Sequence, residues 1–199
     1  MQIQVATLLL ASAGGLAFTH PQPQGTIGIE AARRGGVVLV CRHSITDPAE
    51  EDEHTLKYDD PSTQRRLSAA GERQATDLGR AFRALRIPVG EVITSPMQRA
   101  RRTAELAFDR VRPDSLWHTR GDDYSGPKHQ RRSEVLGQSS DSTTRVIISH
   151  IGTIYSNLPS IRGQLEEGDC AVIRPHGGTR YDVVEVVPFL AWMRAARIE

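Results

Sequence analysis

The chain has 199 residues, of which 38% are hydrophobic and 25% are charged, and these values are ordinary for one soluble globular domain. Its formal net charge of +1 provides no overall attraction to nucleic acid or to an anionic membrane surface, so neither is expected as a partner. Any prediction of a ligand therefore depends on local groups of charged side chains.

The N-terminal segment has the pattern of a secretory signal. Residues 5–18 form an apolar run that precedes the first charged side chain, Glu30, and a polar Pro-rich stretch follows the run. The run is too short and too rich in Gly and Ala for a membrane span, and it is typical of a signal peptide. Cleavage after Ala13 and cleavage after Ala17 both fit, and a misassigned start codon or a disordered tail stays an alternative.

This pattern gives the predicted organisation of the chain. We expect a signal peptide and flexible start over residues 1–25 and a single domain over residues 30–199. The mature protein is then periplasmic or secreted, with no stable insertion in the membrane after the signal is removed. A cytoplasmic location is the alternative.

Strands and helices alternate along the rest of the chain. Short apolar runs predict strands over 37–41, 91–95 and 145–149, and helical spacing predicts helices from Ser68 to Leu85, from Pro96 to Phe108 and after His150. A hairpin over 171–187 and a terminal helix over 189–197 follow. Residues 44–66 are predicted to form a long loop and residues 109–144 to be irregular, with a short helix within 109–144 as the alternative. This alternation predicts an α/β fold with a mostly parallel central sheet.

The two cysteines, Cys41 and Cys170, allow at most one disulfide. Both lie in apolar, strand-like runs, where an unpaired cysteine usually behaves as a small buried hydrophobe. We therefore expect both to be free, even in an oxidising compartment. Cys41 and His43 alone make a weak case for zinc, and no other spacing indicates a metal site.

Charged side chains follow three of the predicted strands. Arg42 and His43 end the first strand, Arg99 follows the second through Pro96, and His150 ends the third. Because the carboxyl ends of parallel strands meet at one edge of a sheet, we expect these side chains to converge. Two arginines suit an oxyanion, with phosphate the leading candidate, and a neutral histidine beside them suits nucleophilic attack on phosphorus.

Three motifs resemble those of a known family. These are "RHSIT" from Arg42 to Thr46, "SPMQRARRTAE" from Ser95 to Glu105 and "SHIGTI" from Ser149 to Ile154, with the helix "LSAAGERQATDLG" between the first two. Their order and spacing are similar to those of the histidine phosphatase superfamily, which has the phosphoglycerate mutase-like fold. The resemblance covers about residues 36–187.

The resemblance implies a three-layer α/β/α sandwich and a role for each matching residue. His43 is implied to be the nucleophile that becomes phosphorylated, Arg42 and Arg99 to bind the phosphate, and His150 to donate to the phosphoryl oxygens. No metal and no cofactor are implied.

The chain departs from the family pattern at several positions. Ser44 replaces the usual glycine, and we expect the pocket to tolerate it, with its hydroxyl facing the phosphate. Ile45 and Ala49 occupy positions where mutase-type members carry glutamate and asparagine, and Ile151 replaces a common glycine. These differences favour a phosphatase over a mutase.

The acid that protonates the leaving oxygen is predicted in the region after the second helix. Asp122 and Asp123 lie there, with Glu134 behind them, and an exposed turn is the alternative role of the two aspartates. Residues 128–132, "KHQRR", either line the mouth of the pocket or form a solvated loop. Trp117 is expected to be buried by packing.

The predicted function is a metal-independent phosphomonoesterase that acts through a phosphohistidine on His43. A small-molecule, sugar or glycan phosphate of the cell envelope is the expected substrate. A protein phosphohistidine phosphatase and a non-catalytic phosphate-binding protein of the same fold are the alternatives. The sequence predicts neither the individual substrate nor the oligomeric state.

Overall fold

A computed structural model of the chain describes residues 24–53, 57–118, 125–138 and 142–199. Most of the predicted signal segment, and both Asp122 and Asp123, lie outside these ranges. The described helices are α1 (Thr26–Arg34), α2 (Ala69–Ala84), α3 (Gln98–Ala107), α4 (Gly126–Gly137), α5 (Ile151–Asn157) and α6 (Phe189–Ala196). The described strands are β1 (Val38–Arg42), β2 (Val89–Thr94), β3 (Arg112–Pro113), β4 (Thr144–Ser149), β5 (Cys170–Pro175) and β6 (Tyr181–Val187).

The strands form a single sheet in the order β3-β2-β4-β1-β5-β6. Strands β1 to β4 run parallel, whereas β5 and β6 are antiparallel to their neighbours. The prediction of a mostly parallel central sheet is therefore confirmed. The last residues of β1 and β4, Arg42 and Ser149, lie side by side, so the carboxyl ends of these strands share one edge.

Helices cover both faces of the sheet. Leu39 and Cys41 of β1 face a buried cluster that includes residues of α1, α2, α3 and α6. Val38 and Val40 of the same strand face a second cluster, which includes residues of α4 and α5. Because successive side chains of a strand point to opposite faces, the continuous apolar run of β1 supplies both cores. The three-layer α/β/α sandwich is confirmed.

Helix α2 holds the segment that follows β1. The hydroxyl of Ser68 caps the helix by accepting a hydrogen bond from the N–H of Gly71 at 3.0 Å. A Cβ atom at Gly71 would lie 1.9 Å from the carbonyl oxygen of Ile45. The absence of a side chain at Gly71 therefore lets the helix approach the backbone directly after His43.

Helix α1 was not predicted from the sequence. The N–H groups of Gly25 and Gly28 donate to the carboxylate of Glu185 at 2.9 and 2.7 Å, and this carboxylate satisfies the start of the helix. Ile29 and Ala32 are buried against the sheet. Among the described residues, no helix is long and apolar enough to cross a membrane.

Helix α4 corrects the prediction for residues 128–132. They lie on a 12-residue helix and do not form a solvated loop. Their place at the mouth of the pocket stays a prediction. Arg132 is fully buried, and its guanidinium donates to the Oδ1 atom of Asn157 at 2.7 Å. The expectation that Trp117 is buried by packing is confirmed.

Cys41 and Cys170 form a disulfide, so the expectation that both are free is wrong. They are direct partners in the antiparallel ladder between β1 and β5, and their Cα atoms are 4.0 Å apart. The two cysteines are 129 residues apart in the sequence, and their sulfurs meet only because β5 pairs with β1 in this register. Local sequence pattern carries no information about that register.

Candidate active site

The predicted phosphate-binding residues converge at one edge of the sheet. Arg42 ends β1 and His43 follows it, Arg99 lies in the first turn of α3, and His150 precedes α5. The ring centroids of His43 and His150 are 5.3 Å apart. His43, Arg99 and His150 are only 3%, 7% and 9% exposed, so three polar side chains share one buried pocket.

The orientation of His43 leaves one ring nitrogen ready to react. Its Nδ1 atom lies 2.9 Å from the carbonyl oxygen of Ser44, which only accepts hydrogen bonds. Nδ1 therefore carries the proton, and Nε2 of the neutral ring holds a lone pair. Burial lowers the pKa of His43 to about 3; the hydrogen bond to Ser44 opposes the shift, and the charges of Arg99 and Arg42 add to it.

His150 is also neutral near pH 7. Its Nε2 atom is 2.8 Å from the hydroxyl oxygen of Ser95, at the end of the second predicted strand. Burial holds the pKa of His150 well below its ordinary value, and the charge of Arg99 acts in the same direction. Its buried Nδ1 atom has no hydrogen-bond partner in the described ranges.

Carboxylates from two loops contact the two arginines. Arg99 donates from Nη1 to Oδ1 of Asp52 at 2.9 Å. The Nη2 atom of Arg42 lies 3.6 Å from Oε1 of Glu167, and its Nη1 atom donates to the carbonyl oxygen of Leu165 at 3.3 Å. Neither carboxylate was predicted to lie at the site, because neither loop carries a recognisable spacing.

Buried polar atoms without a partner concentrate at this pocket. Eight side-chain nitrogen or oxygen atoms of the described residues are buried and have no hydrogen-bond partner, and five of them belong to the pocket: Nε of Arg42, Nε of Arg65, Nε of Arg99, Oγ of Ser44 and Nδ1 of His150. The three guanidinium nitrogens are obligatory donors, and the serine hydroxyl is able to donate. Since buried donors in native proteins are nearly always satisfied, this set indicates an acceptor-rich ligand.

Ser44 fits the pocket with its side chain fully buried. Its φ angle is not in the left-handed region, so the position does not need the conformational freedom of glycine. Its N–H donates to the hydroxyl of Thr103 at 3.0 Å, and that hydroxyl donates to the carbonyl of Arg99 at 2.8 Å. Ser44 thus joins the end of β1 to the helix that carries Arg99.

A tyrosine and a third histidine, both unpredicted, extend the site beyond His150. The ring centroids of His118 and His150 are 5.1 Å apart, and Nδ1 of His118 is 2.7 Å from the hydroxyl of Tyr58. His118 follows a short helical turn after β3, and Tyr58 comes from the long loop after β1. No pattern in the sequence identifies either residue, because separate loops bring them to the pocket.

Of Asp122, Asp123 and Glu134, the carboxylates considered for the acid, only Glu134 belongs to the described residues. Asp122 and Asp123 lie outside the described residues, so their role stays a prediction. Glu134 lies on α4, where its carboxylate accepts a hydrogen bond from Gln130 at 3.4 Å on the helix surface. Across the described ranges, no three or more His, Cys, Asp or Glu side chains are grouped so as to hold a metal ion.

Residues 38–120 match the family model of the histidine phosphatase superfamily (branch 1). This stretch contains the first two motifs, with Arg42, His43 and Arg99. The predicted resemblance to this superfamily is confirmed. Among curated proteins, no sequence matches the chain significantly.

Several solved phosphatase structures show the same fold. The protein histidine phosphatase SixA, complexed with tungstate, has a TM-score of 0.59 and 14% identity over 77% of this chain and 97% of its own. A mycobacterial glucosyl-3-phosphoglycerate phosphatase, complexed with VO3, has a TM-score of 0.55 and 16% identity over 77% and 100% of the two chains. A phosphoserine phosphatase from Entamoeba histolytica, complexed with 3-phosphoglyceric acid, has a TM-score of 0.54 and 14% identity over 76% and 96%. At these identities the likeness concerns the fold.

Proposed function

We propose that the chain is a phosphomonoesterase that acts through a phosphohistidine on His43. The observation that carries this proposal is the group of buried, unpartnered donors around a neutral histidine whose Nε2 is unprotonated. Phosphate esters offer several acceptor oxygens to such donors, and a neutral imidazole is able to attack the phosphorus between them. The match of residues 38–120 to the histidine phosphatase superfamily model supports the same chemistry.

The proposed reaction has two steps. In the first, Nε2 of His43 forms a bond to phosphorus while the bond to the leaving oxygen breaks, and that oxygen takes a proton as the alcohol departs. In the second, water attacks the phosphohistidine and releases inorganic phosphate and free His43. Arg42 and Arg99 neutralise charge on the phosphoryl oxygens, and His150 donates to them.

The proton donor for the leaving oxygen is proposed to be Asp122 or Asp123. Ser44 is proposed as a further donor to the phosphate through its unpartnered hydroxyl. The surrounding arginines supply the positive charge that a metal ion supplies in many phosphatases. The proposal therefore needs neither a metal nor a cofactor.

The disulfide between Cys41 and Cys170 supports an exported enzyme. Disulfides persist in oxidising compartments and are rare in the cytosol, and a signal-like segment precedes the domain. We therefore propose a small-molecule, sugar or glycan phosphate of the cell envelope as the substrate. A cytoplasmic protein phosphohistidine phosphatase, the activity in the name of SixA, is the alternative.

Hydrolysis of p-nitrophenyl phosphate in the presence of EDTA tests the chemistry. We expect wild-type protein to release nitrophenol and His43→Ala to lose at least about a thousandfold in kcat. His176→Ala is the matched control, because His176 is exposed and pairs with Asp182 away from this pocket. Equal rates for wild type and His43→Ala would contradict the proposal.

Trapping of the intermediate separates an enzyme from a phosphate-binding protein. Rapid acid-free quenching with a ³²P-labelled ester is expected to label the protein with an acid-labile phosphate, and His43→Ala is expected to stay unlabelled. Binding of phosphate without any label or turnover would favour the non-catalytic alternative.

A further inference from the structure

A carboxylate lies beside the ring nitrogen of His43 that does not attack phosphorus. The Oε1 atom of Glu167 is 3.8 Å from Nδ1 of His43, the nitrogen that carries the proton. The side chain of His43 is 4% exposed and that of Glu167 is 21% exposed, so water and salt screen their interaction only weakly. The proposed reaction assigns no role to this carboxylate.

Three hydrogen bonds hold Glu167 beside the nucleophile. The buried hydroxyl of Thr46 donates to Oε1 of Glu167 at 3.0 Å. The side-chain amide of Gln74 donates to the backbone carbonyl of Glu167 at 2.8 Å, and the N–H of Gly168 donates to the carbonyl of His43 at 3.1 Å. The carboxylate is therefore fixed to the same backbone segment that carries the nucleophile.

The other side chains that act electrostatically on the ring of His43 are cationic or neutral. Within the described residues, the charged and titratable groups around this ring are those of Arg42, Arg65, Arg99, His150 and Glu167. The nearby carboxylates of Asp52 and Asp169 are already paired, with Arg99 and with two backbone N–H groups. The arginines favour the neutral ring of the free enzyme and oppose a positive charge on it. Such a charge therefore depends on Glu167 for compensation.

The first step of the proposed reaction creates that charge. Nε2 gives its lone pair to phosphorus while Nδ1 keeps its proton, so the phosphorylated ring carries one formal positive charge. In the second step, water bonds to phosphorus and the electron pair of the N–P bond returns to Nε2. One proton of the water returns to the group that protonated the alcohol, and the other leaves with the phosphate. A ring that had lost its Nδ1 proton would be a much poorer leaving group.

We propose that Glu167 is a positioning residue whose carboxylate stabilises the positive charge of the phosphorylated His43 ring and keeps the proton on Nδ1. The inference rests on the proposed function and adds a residue to it. The carbonyl of Ser44 orients the Nδ1 proton but carries no net charge, whereas a carboxylate 3.8 Å away opposes the charge of the ring directly. Support of Arg42, whose Nη2 atom lies 3.6 Å from the same oxygen, is the competing role.

Glu167→Gln separates these two roles, because it removes the charge and keeps the size of the side chain. With p-nitrophenyl phosphate we expect kcat to fall at least about tenfold, the smallest effect of an opposite charge at this distance. The dissociation constant of inorganic phosphate, measured by calorimetry, is expected to stay the same or to decrease, because a negative charge beside an anion site is removed. Glu166→Gln, the same change at the exposed preceding residue, is the matched control and should alter neither value.

The decay of the phosphorylated protein is a readout that a purely structural role would not shift. Protein labelled with ³²P on His43 is isolated, and loss of the label is followed from about pH 6 to pH 9. Removal of the carboxylate lets the Nδ1 proton leave at lower pH. The pH at which the decay rate has fallen by half is therefore expected to be at least about one unit lower in Glu167→Gln than in wild type. Glu167→Asp, which keeps the charge, should lie between them.

The possible results distinguish this inference from the proposed function. Wild-type kcat and a wild-type decay profile in Glu167→Gln would overturn the inference and leave the proposed function intact. Weaker binding of phosphate with an unshifted profile would make Glu167 a support of Arg42, which also overturns it. Absence of both turnover and label in wild type would contradict the proposed function itself, and the inference with it. Thermal unfolding monitored by circular dichroism checks that both variants of Glu167 are folded.

Discussion

At the scale of the residue, the chemistry of the pocket depends on keeping His43 neutral. Burial removes the water that would stabilise an imidazolium, and the neighbouring charges of Arg99 and Arg42 disfavour it further. The carbonyl of Ser44 fixes the proton on Nδ1. The same environment that prepares the nucleophile therefore makes its protonation costly to the folded protein.

This cost predicts a pH dependence of stability. The pKa of His43 is about 3 in the folded protein and about 6.5 in the unfolded chain, so protonation favours unfolding as the pH falls from about 6.5 towards 3. We expect His43 to reduce the free energy of unfolding by about 2 kcal/mol between pH 7.5 and pH 5. Urea unfolding at both pH values measures the change. His43→Gln should remove this contribution and His176→Gln should keep it; the same pH slope in all three proteins would contradict the prediction.

The hydroxyl of Ser44 gives a second prediction at this scale. Its Oγ atom is buried without a partner, and we expect it to donate to a bound oxyanion. Ser44→Ala should raise the inhibition constant of vanadate about 10- to 150-fold, the effect of one hydrogen bond to a charged group. Ser44→Gly should have a similar effect, because the φ angle does not favour glycine. Unchanged inhibition in both variants would mean that the hydroxyl does not contact the anion.

At the scale of the element, the disulfide fixes β5 beside β1 at the base of the pocket. The N–H of Arg42 donates to the carbonyl of Asp169 at 3.0 Å, and Cys41 and Cys170 are the next pair in that direction. The Asp169 carboxylate in turn accepts from the backbone N–H groups of Glu166 and Phe189 at 2.9 and 2.8 Å. The bridge therefore anchors the segment that carries Glu167 towards Arg42.

Reduction of this disulfide is expected to destabilise the protein. A bridge that closes a loop of 129 residues restricts the unfolded chain strongly, and we expect its loss to cost about 2–5 kcal/mol. Urea unfolding with and without reductant measures the difference. Cys41→Ala/Cys170→Ala is the control, since its stability should not respond to reductant. Two alkylatable thiols in the purified, unreduced wild type would contradict the bridge.

At the scale of the whole molecule, Arg132 ties the helices on one face of the sheet to the turn beside the pocket. Its guanidinium donates to the Oδ1 atom of Asn157, the last residue of α5, at 2.7 Å. It also donates to the carbonyl oxygen of Leu116 at 3.2 Å. Leu116 lies two residues before His118, which contacts His150. A fully buried charge thus links α4, α5 and the site.

Replacement of Arg132 tests this link. Arg132→Leu removes the guanidinium donor from the side-chain oxygen of Asn157 and from the carbonyl oxygen of Leu116, and we expect the free energy of unfolding to fall by about 2–4 kcal/mol. The exposed Arg131→Leu on the same helix is the control and should change stability by less than about 0.5 kcal/mol. Denaturant unfolding measures both. Equal small effects would show that the buried network adds little to stability.

The sequence by itself determined the alternation of strands and helices, the mostly parallel sheet and the four charged residues that follow its strands, because these depend on local pattern. Three apolar runs are followed by Arg42-His43, by Arg99 and by His150. These side chains are predicted to converge if the three strands are parallel neighbours, and in the structure β2, β4 and β1 are parallel neighbours. The same pattern did not predict the partners of those residues.

Only the tertiary structure decided the disulfide, the carboxylates and the third arginine of the pocket. Cys41 and Cys170 meet through a strand register, and Asp52, Arg65 and Glu167 reach the pocket on loops whose paths no periodicity encodes. The position of helix α4 was also not predicted, because its buried polar residue, Arg132, is satisfied by groups distant in sequence. Local spacing fixes where a strand ends, whereas the contacts around that end depend on how distant segments pack.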